Sequence, residues 1–262
     1  MRGKNIMNLL NIKNCSVAFG GIKALTSFQA HLGEGELLGI IGPNGAGKTT
    51  LFNLLTGVYL PSEGSIEFRN TKLNGKKLFE INHLGIARTF QNIRLFQNLK
   101  VEDNVILAFH NQIHASFLSS SLHLPSMHQE EKELTRKAFD LLEMFNLLDQ
   151  RLELSKNLPY GDQRRLEIVR ALATAPKLLL LDEPAAGMNP TEKKELIDLI
   201  RQVQKEFNLA IILIEHDMHV VMNLCPRLIV LNYGQMLAEG NPDQIRNNPK
   251  VIEAYLGTVK IK

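Results

Sequence analysis

The sequence predicts an α/β fold, a mainly parallel sheet covered by helices and interrupted by a helical segment. Three observations predict it. Apolar runs such as Leu37-Leu38-Gly39-Ile40-Ile41 and Leu178-Leu179-Leu180-Leu181 have the unbroken hydrophobicity of strands buried on both faces. Stretches of helical period separate these runs, which is the alternation a parallel sheet requires. Between residues 98 and 175 the strand pattern lapses, and Leu134, Ala138, Leu141, Leu142 and Phe145 recur at helical spacing with charges between them.

Along the chain, residues 9–12, 15–19 and 28–32 read as β-structure. A Gly33-Glu34-Gly35-Glu36 turn leads into the buried strand 37–41. A Gly-rich turn follows, then a helix over 49–55 that ends at Gly57. Pro61 and Gly64 mark another turn before a short strand at 65–69. Helices are predicted at 130–145 and 166–173. From Lys177 the alternation returns, with strands at 178–181, 209–214 and 228–231 and a helix at 191–207. No internal repeat is visible.

With 262 residues the chain can bury one large core. Thirty basic residues against 27 acidic leave a formal charge of +3 without a dense Lys/Arg block, which argues against nucleic acid as a partner. Cys15 and Cys225 form no ligand set and read as buried small hydrophobes in a reducing compartment. No run approaches the roughly 18 apolar residues that cross a bilayer, and the N-terminus is too interrupted for a signal-peptide core. A cytoplasmic protein that reaches any membrane through partners is expected. His110, His114, His123 and His128 crowd together, but the Ser119-Ser120-Ser121 stretch and Pro125 suggest a loop rather than a metal site. Glu192-Lys193-Lys194-Glu195 reads as a solvated helix face.

Two clusters carry chemistry. Gly42-Pro43-Asn44-Gly45-Ala46-Gly47-Lys48-Thr49 matches GxxxxGK[ST] between a buried strand and a helix. Its glycines let backbone N–H groups turn inward around phosphate oxygens, and the helix N-terminus adds partial positive charge. Lys48 supplies a cation for β- and γ-phosphates, the Thr49 hydroxyl can ligate Mg²⁺, and Thr50 at the same helix start is a further nucleotide-binding candidate. A chance Gly-rich turn is the alternative, and the flanking strand and helix argue against it. Asp182 and Glu183 end a second buried strand, where ligands gather in a parallel sheet. Asp182 suits Mg²⁺, and Glu183 can take a proton from an attacking water.

With Gln91 in Thr89-Phe90-Gln91-Asn92, the segment Leu158-Pro159-Tyr160-Gly161-Asp162-Gln163, and His216, these clusters stand in the order seen in ATP-binding cassette (ABC) ATPases. The chain resembles that family over essentially its whole length. The resemblance implies a P-loop NTPase core with a mainly parallel sheet, an N-terminal antiparallel β subdomain and an inserted helical subdomain. It implies one cassette over 6–260: a nucleotide-binding core at 6–97 and 171–240, the helical subdomain at 98–170 and a tail at 241–260. It implies ATP and Mg²⁺ as cofactors. Gln91 would contact the Mg²⁺ and the water and sense a membrane partner. His216 would touch the γ-phosphate, and Phe19 would stack on adenine, its alternative being an ordinary core position. The apolar residues Phe117, Leu118, Leu122 and Leu124 would touch membrane chains or fold against the helical subdomain.

By the same resemblance, Pro159, Tyr160, Gly161, Asp162 and Gln163 cap the nucleotide of a facing cassette. This sequence departs from the family's Leu-Ser-Gly-Gly-Gln there. Pro159 can open a helix but donates no hydroxyl hydrogen bond, and Asp162 would repel a γ-phosphate. Asn189 stands where the family usually has Asp. These departures, Ile214-Glu215-His216-Asp217-Met218, and the tail through Ala254-Tyr255-Leu256-Gly257 resemble the ATP-binding subunits of branched-chain amino acid importers and of related importers of urea and short amides. That subgroup implies integral-membrane permease subunits, a sister ATPase subunit or a second copy, and indirectly a periplasmic binding protein. It places the chain on the inner face of the plasma membrane. Competing readings are a soluble ABC-type mechanical ATPase and a regulatory cassette with weak turnover. The altered capping segment predicts a weakened half-site, so Pro159→Ser combined with Asp162→Gln raises ATP turnover of the assembled complex. Unchanged turnover contradicts this.

Overall fold

The computed structural model describes residues 8–109 and 125–256. In chain order its elements are β1 (Asn8–Phe19), β2 (Ile22–Gly33), β3 (Leu37–Ile41), α1 (Lys48–Leu55), β4 (Glu63–Phe68), β5 (Thr71–Lys72), α2 (Leu78–His83) and β6 (Ile86–Arg88). Then come α3 (Val101–Phe109), α4 (Pro125–Met144), α5 (Tyr160–Leu172), β7 (Leu178–Asp182), α6 (Pro190–Glu206), β8 (Ala210–Ile214) and α7 (Met218–Leu224). The chain closes with β9 (Arg227–Asn232), β10 (Gln235–Gly240), α8 (Pro242–Arg246) and α9 (Pro249–Leu256). These elements form two compact units that part at Arg88/Thr89 and at Pro176/Lys177.

The first unit holds two sheets. One is antiparallel, in the order β2-β1-β4-β5. The other has six strands in the order β10-β9-β3-β8-β7-β6, parallel throughout except for the β9–β10 pair. The apolar runs form its centre: every residue of β3, β7 and β8 is buried. One core joins the two sheets, with Phe28 and Phe68 from the antiparallel sheet, Phe52 from α1, and Leu180, Ile212 and Leu231 from the parallel sheet. Gly39 is placed by packing. A Cβ there would stand 2.5 Å from Leu228 Cδ2 and 3.0 Å from Cys225 Sγ, so the bare backbone makes room for the neighbouring strand. Cys15 and Cys225 are both buried free thiols.

Helix α6 begins where the sequence asks it to. Asn189 Oδ1 accepts from the Thr191 and Glu192 N–H groups at 2.9 and 3.0 Å, Glu192 Oε2 accepts from the Asn189 N–H at 2.8 Å, and Pro190 occupies the first turn. Asn189 is thus a helix cap. The face holding Glu192 and Lys193 is less solvated than the sequence suggests, because Lys193 Nζ donates to Asp217 Oδ2 at 2.6 Å.

In the second unit, Val105, Phe109, Ala138, Leu142, Phe145 and Leu166 are all buried. Buried Asn104 holds the chain before α3: its Oδ1 accepts from the Phe96 N–H at 3.0 Å, and its Nδ2 donates to the Phe96 and Lys100 carbonyls at 3.1 and 3.0 Å. Helix α5 starts at Tyr160 rather than at 166. Its first turn is polar and shows no apolar stripe, so periodicity cannot find it. Elements such as α2, β6, α7 and β10 are too short for a period to show. The reading of His110, His114 and His123 as a loop lies outside the described residues, as do Phe117, Leu118, Leu122 and Leu124, and nothing of the His128 side chain is described. Among the described residues no cluster of three or more His, Cys, Asp or Glu residues could hold a metal, and no helix is long and apolar enough to cross a membrane.

Candidate functional site

Strands β3 and β7 both pair in parallel with β8, and Ile40 and Asp182 both stand opposite Ile214. The three carboxyl ends are therefore level, and the loops leaving them converge. The loop after β3 turns on glycines, with φ of 151° at Gly42, 78° at Gly45 and 105° at Gly47. Two of these positions have no room for a side chain. A Cβ at Gly42 would stand 2.1 Å from the Leu231 carbonyl oxygen, and one at Gly47 2.7 Å from that of Ala24. The loop is also tied from outside. The Ala46 carbonyl accepts from the Gly234 N–H at 3.0 Å, and the Tyr255 hydroxyl lies near the Gly42 backbone.

Gly47 caps α1 without a side-chain acceptor, which suits its first-turn N–H groups to an anion. Lys48 is 8% exposed, and its Nζ donates to the Gly42 and Pro43 carbonyls at 2.7 and 3.0 Å. Burial lowers its pKa, and the nearby Glu183 and Asp182 carboxylates oppose that shift. Thr49 and Thr50 follow on the first turn of the helix. A glycine cradle, an uncapped helix start and a buried ammonium are the donor set of a polyphosphate site. A threonine hydroxyl with an aspartate carboxylate suits a hard divalent cation.

Asp182 ends β7 with its side chain 4% exposed and paired with Arg88 at 2.8 Å. Glu183 leaves the strand at φ 48°, a left-handed conformation that costs a non-glycine residue about 1 kcal/mol. Its N–H donates to the Ile214 carbonyl at 2.8 Å, which holds the turn to β8. The Glu183 side chain is 19% exposed, and its Oε2 stands 3.6 Å from Nδ1 of His216, which is 58% exposed. Arrangements of this kind can hold a water between a carboxylate and an imidazole.

Glu215 supports the group from beneath. It is fully buried; its Oε1 accepts from the Ala185 N–H at 2.8 Å, and its Oε2 accepts from the His216 and Asp217 N–H groups at 3.2 and 3.4 Å. Burial raises the Glu215 pKa, and the backbone donors and His216 oppose the rise. Asp217 caps α7 through the His219 and Val220 N–H groups, and its hydrogen bond from Lys193 holds its pKa low.

Phe19 sits at the end of β1, 45% exposed, with Tyr59 edge-on at 4.9 Å between centroids, so it is not a core residue. Gln91 and residues 159–163 belong to the second unit. There Arg164 donates to the carbonyls of Phe90 and Gln91 and to the Tyr160 hydroxyl, binding the Gln91 segment to the start of α5. Pro159 is the cap of α5, Gly161 lies in its first turn, and Gln163 Nε2 donates to the Leu158 carbonyl at 2.9 Å. Asp162 accepts from Gln150 Nε2 at 3.3 Å and lies 3.8 Å from Arg165 Nη1. These partners offset part of the charge that the sequence reading sets against a phosphate. Sequence reasoning missed Arg88, Glu215, Lys193, Arg164 and the Tyr255 contact. Glu215, Arg164 and Arg88 adjoin the motif residues His216, Gln163 and Thr89, but their contacts lie with residues distant in the chain.

A family model described as ABC transporter matches residues 25–186, and one described as branched-chain amino acid ATP-binding cassette transporter matches residues 235–260. The chain is similar to the high-affinity branched-chain amino acid transport ATP-binding protein LivG of Escherichia coli K12, 46% identical over 95% of this chain and 98% of that protein. It is similar to the ADP conformation of an ATP-binding cassette of an ABC transporter, with a TM-score of 0.83, 32% identity, and 96% of this chain and 99% of that one covered. A dimeric cassette in a post-hydrolysis state, bound to ADP and Pi, matches with a TM-score of 0.75 and 25% identity over 89% of this chain and 98% of that one. The chain belongs to the ABC transporter family and is one of its ATP-hydrolysing cassettes.

The buried clamp yields a stability prediction. Glu215→Ala strands three backbone N–H groups and lowers the free energy of unfolding by about 3 kcal/mol in urea titration. Glu215→Gln, which keeps an acceptor, loses less than half of that. Equal losses in the two variants contradict the clamp.

Proposed function

We propose that this chain is the ATP-hydrolysing subunit of an importer for branched-chain amino acids, working with Mg²⁺ at the inner face of the membrane beneath integral-membrane permease subunits. The observation that carries the catalytic part is the convergence of Lys48, Asp182, Glu183 and His216 at three level strand ends. The substrate part is supported by the LivG relative and by the match of the tail.

ATP, when bound, supplies the phosphoanhydride bond whose hydrolysis drives the cycle. The loop N–H groups of residues 42–47 and the Lys48 ammonium would take its phosphates, and the Thr49 and Asp182 oxygens, with Gln91, would hold Mg²⁺. Glu183 would accept the proton of the attacking water, and His216 beside it would touch the γ-phosphate. Phe19, exposed and braced by Tyr59, would stack on adenine. Pro159, Tyr160, Gly161, Asp162 and Gln163 would cap the nucleotide of a facing cassette, either a sister ATPase or a second copy. The cassette dimer among the solved relatives supports that pairing. A periplasmic binding protein would deliver the amino acid from the other side of the membrane.

Light scattering of the Glu183→Gln protein with Mg-ATP, with Mg-ADP and with ATP plus EDTA tests this assembly. We expect a dimer with Mg-ATP alone, because that change removes the base while leaving binding intact. ATP binding without dimerisation assigns the facing site to a sister ATPase. Failure to bind ATP overturns the reading.

A further inference from the structure

Arg88, the last residue of β6, stands opposite Leu180 of β7, and its side chain runs on to the strand's last residue, Asp182. Arg88 Nη2 donates to Asp182 Oδ2 at 2.8 Å, and Nη1 donates to Asn53 Oδ1 at 2.8 Å. The guanidinium lies 5.3 Å from the Phe52 ring centroid. Phe52 and Asn53 belong to α1, the helix that starts with Lys48. Only 7% of the Arg88 side chain and 4% of that of Asp182 are exposed, so water screens the pair little. The guanidinium is therefore pinned by α1 on one side and directed at a carboxylate on the other.

We propose that Arg88 is a positioning residue that makes metal capture at Asp182 conditional on bound nucleotide. The inference rests on the reading of Asp182 as a Mg²⁺ ligand. Asp182 and Glu183 stand together at one strand end with the Lys48 ammonium near both, so without Arg88 two carboxylates would face one ammonium and leave a net negative charge to draw a hydrated divalent cation. Arg88 neutralises Asp182 and engages one of its oxygens in a charge-assisted hydrogen bond. A guanidinium this close also repels a dication directly. Magnesium gives up water reluctantly and is held by one or two carboxylates together with substrate phosphates. With Asp182 neutralised, the phosphates must provide the decisive attraction. Arg88 also fixes the carboxylate orientation, as groups hydrogen-bonded to metal ligands commonly do. Metal and nucleotide would then arrive as one unit, and the nucleotide-free cassette would not be held by Mg²⁺ alone.

Binding of Mn²⁺, followed by loss of the free-ion electron paramagnetic resonance signal, tests this without turnover. The protein is compared nucleotide-free and loaded with a non-hydrolysable ATP analogue. Wild type should bind Mn²⁺ appreciably only with the analogue. Arg88→Met, close in length but uncharged, should raise the nucleotide-free Mn²⁺ affinity about tenfold or more, while Arg88→Lys, which keeps the charge, should stay near wild type. Adding Asp182→Asn to Arg88→Met should abolish the gain. A folded Arg88→Met protein with wild-type nucleotide-free affinity overturns the proposal. If Arg88→Met fails to fold, Arg88→Gln gives the same readout, and failure of both to fold makes the residue structural and also overturns it. The ligand reading is tested apart: Asp182→Asn alone should weaken Mn²⁺ binding in the presence of the analogue. No change there removes Asp182 as the ligand, whatever Arg88 does.

Discussion

Parallel pairing of β3 and β7 to the two edges of β8 is the constraint on which the rest of the first unit depends. Because Ile40 and Asp182 share Ile214 as their register partner, the glycine loop, the Asp182-Glu183 pair and His216 leave the sheet at one level. A slip by one residue would turn each strand's core side chains to its opposite face and stagger these ends. The strands carry that requirement in their composition. All three are fully buried, and apart from Asp182 at the end of β7 they carry no polar side chain, so their register is set by packing on both faces.

What the sheet brings together, buried polar contacts hold in place. Glu183 adopts its left-handed conformation because its N–H is anchored to the Ile214 carbonyl and the following turn is held by Glu215. Glu215 thereby spans the loops after β7 and β8, the two loops that present Glu183 and His216. Lys193 joins α6 to the same region through Asp217, and Tyr255 brings the tail helix to the beginning of the phosphate loop. Backbone strain of this kind persists only where surrounding contacts overdetermine it. The second unit has its own version of this order: Arg164 and Glu167 gather the backbone from Phe90 to Arg94 onto α5, so the Gln91 segment and the start of α5 share one anchor.

Much of this is legible in the sequence, and for identifiable reasons. The buried strands announce themselves by continuous hydrophobicity, and the phosphate loop by glycines whose spacing the backbone itself demands, as Gly42 and Gly47 illustrate. Features that depend on a partner distant in the chain are illegible. Arg88 reads as one more basic residue until β6 is seen to pair with β7. Lys193 reads as solvated until Asp217 is found beside it. Phe19 leaves two readings open in sequence, and its exposure against Tyr59 removes the core one. Asp162 looks like a bare negative charge, whereas Gln150 and Arg165 share it.

The central claim is that ATP chemistry at these strand ends drives amino acid uptake through separate membrane chains. Its most direct test is uptake of radiolabelled leucine into proteoliposomes that hold the permease subunits, the binding protein and this chain with its ATPase partner. The account predicts leucine accumulation that needs ATP on the side of this chain and disappears when the chain is omitted. ATP hydrolysis by the assembled complex without ATP-dependent uptake of leucine, isoleucine or valine would contradict it.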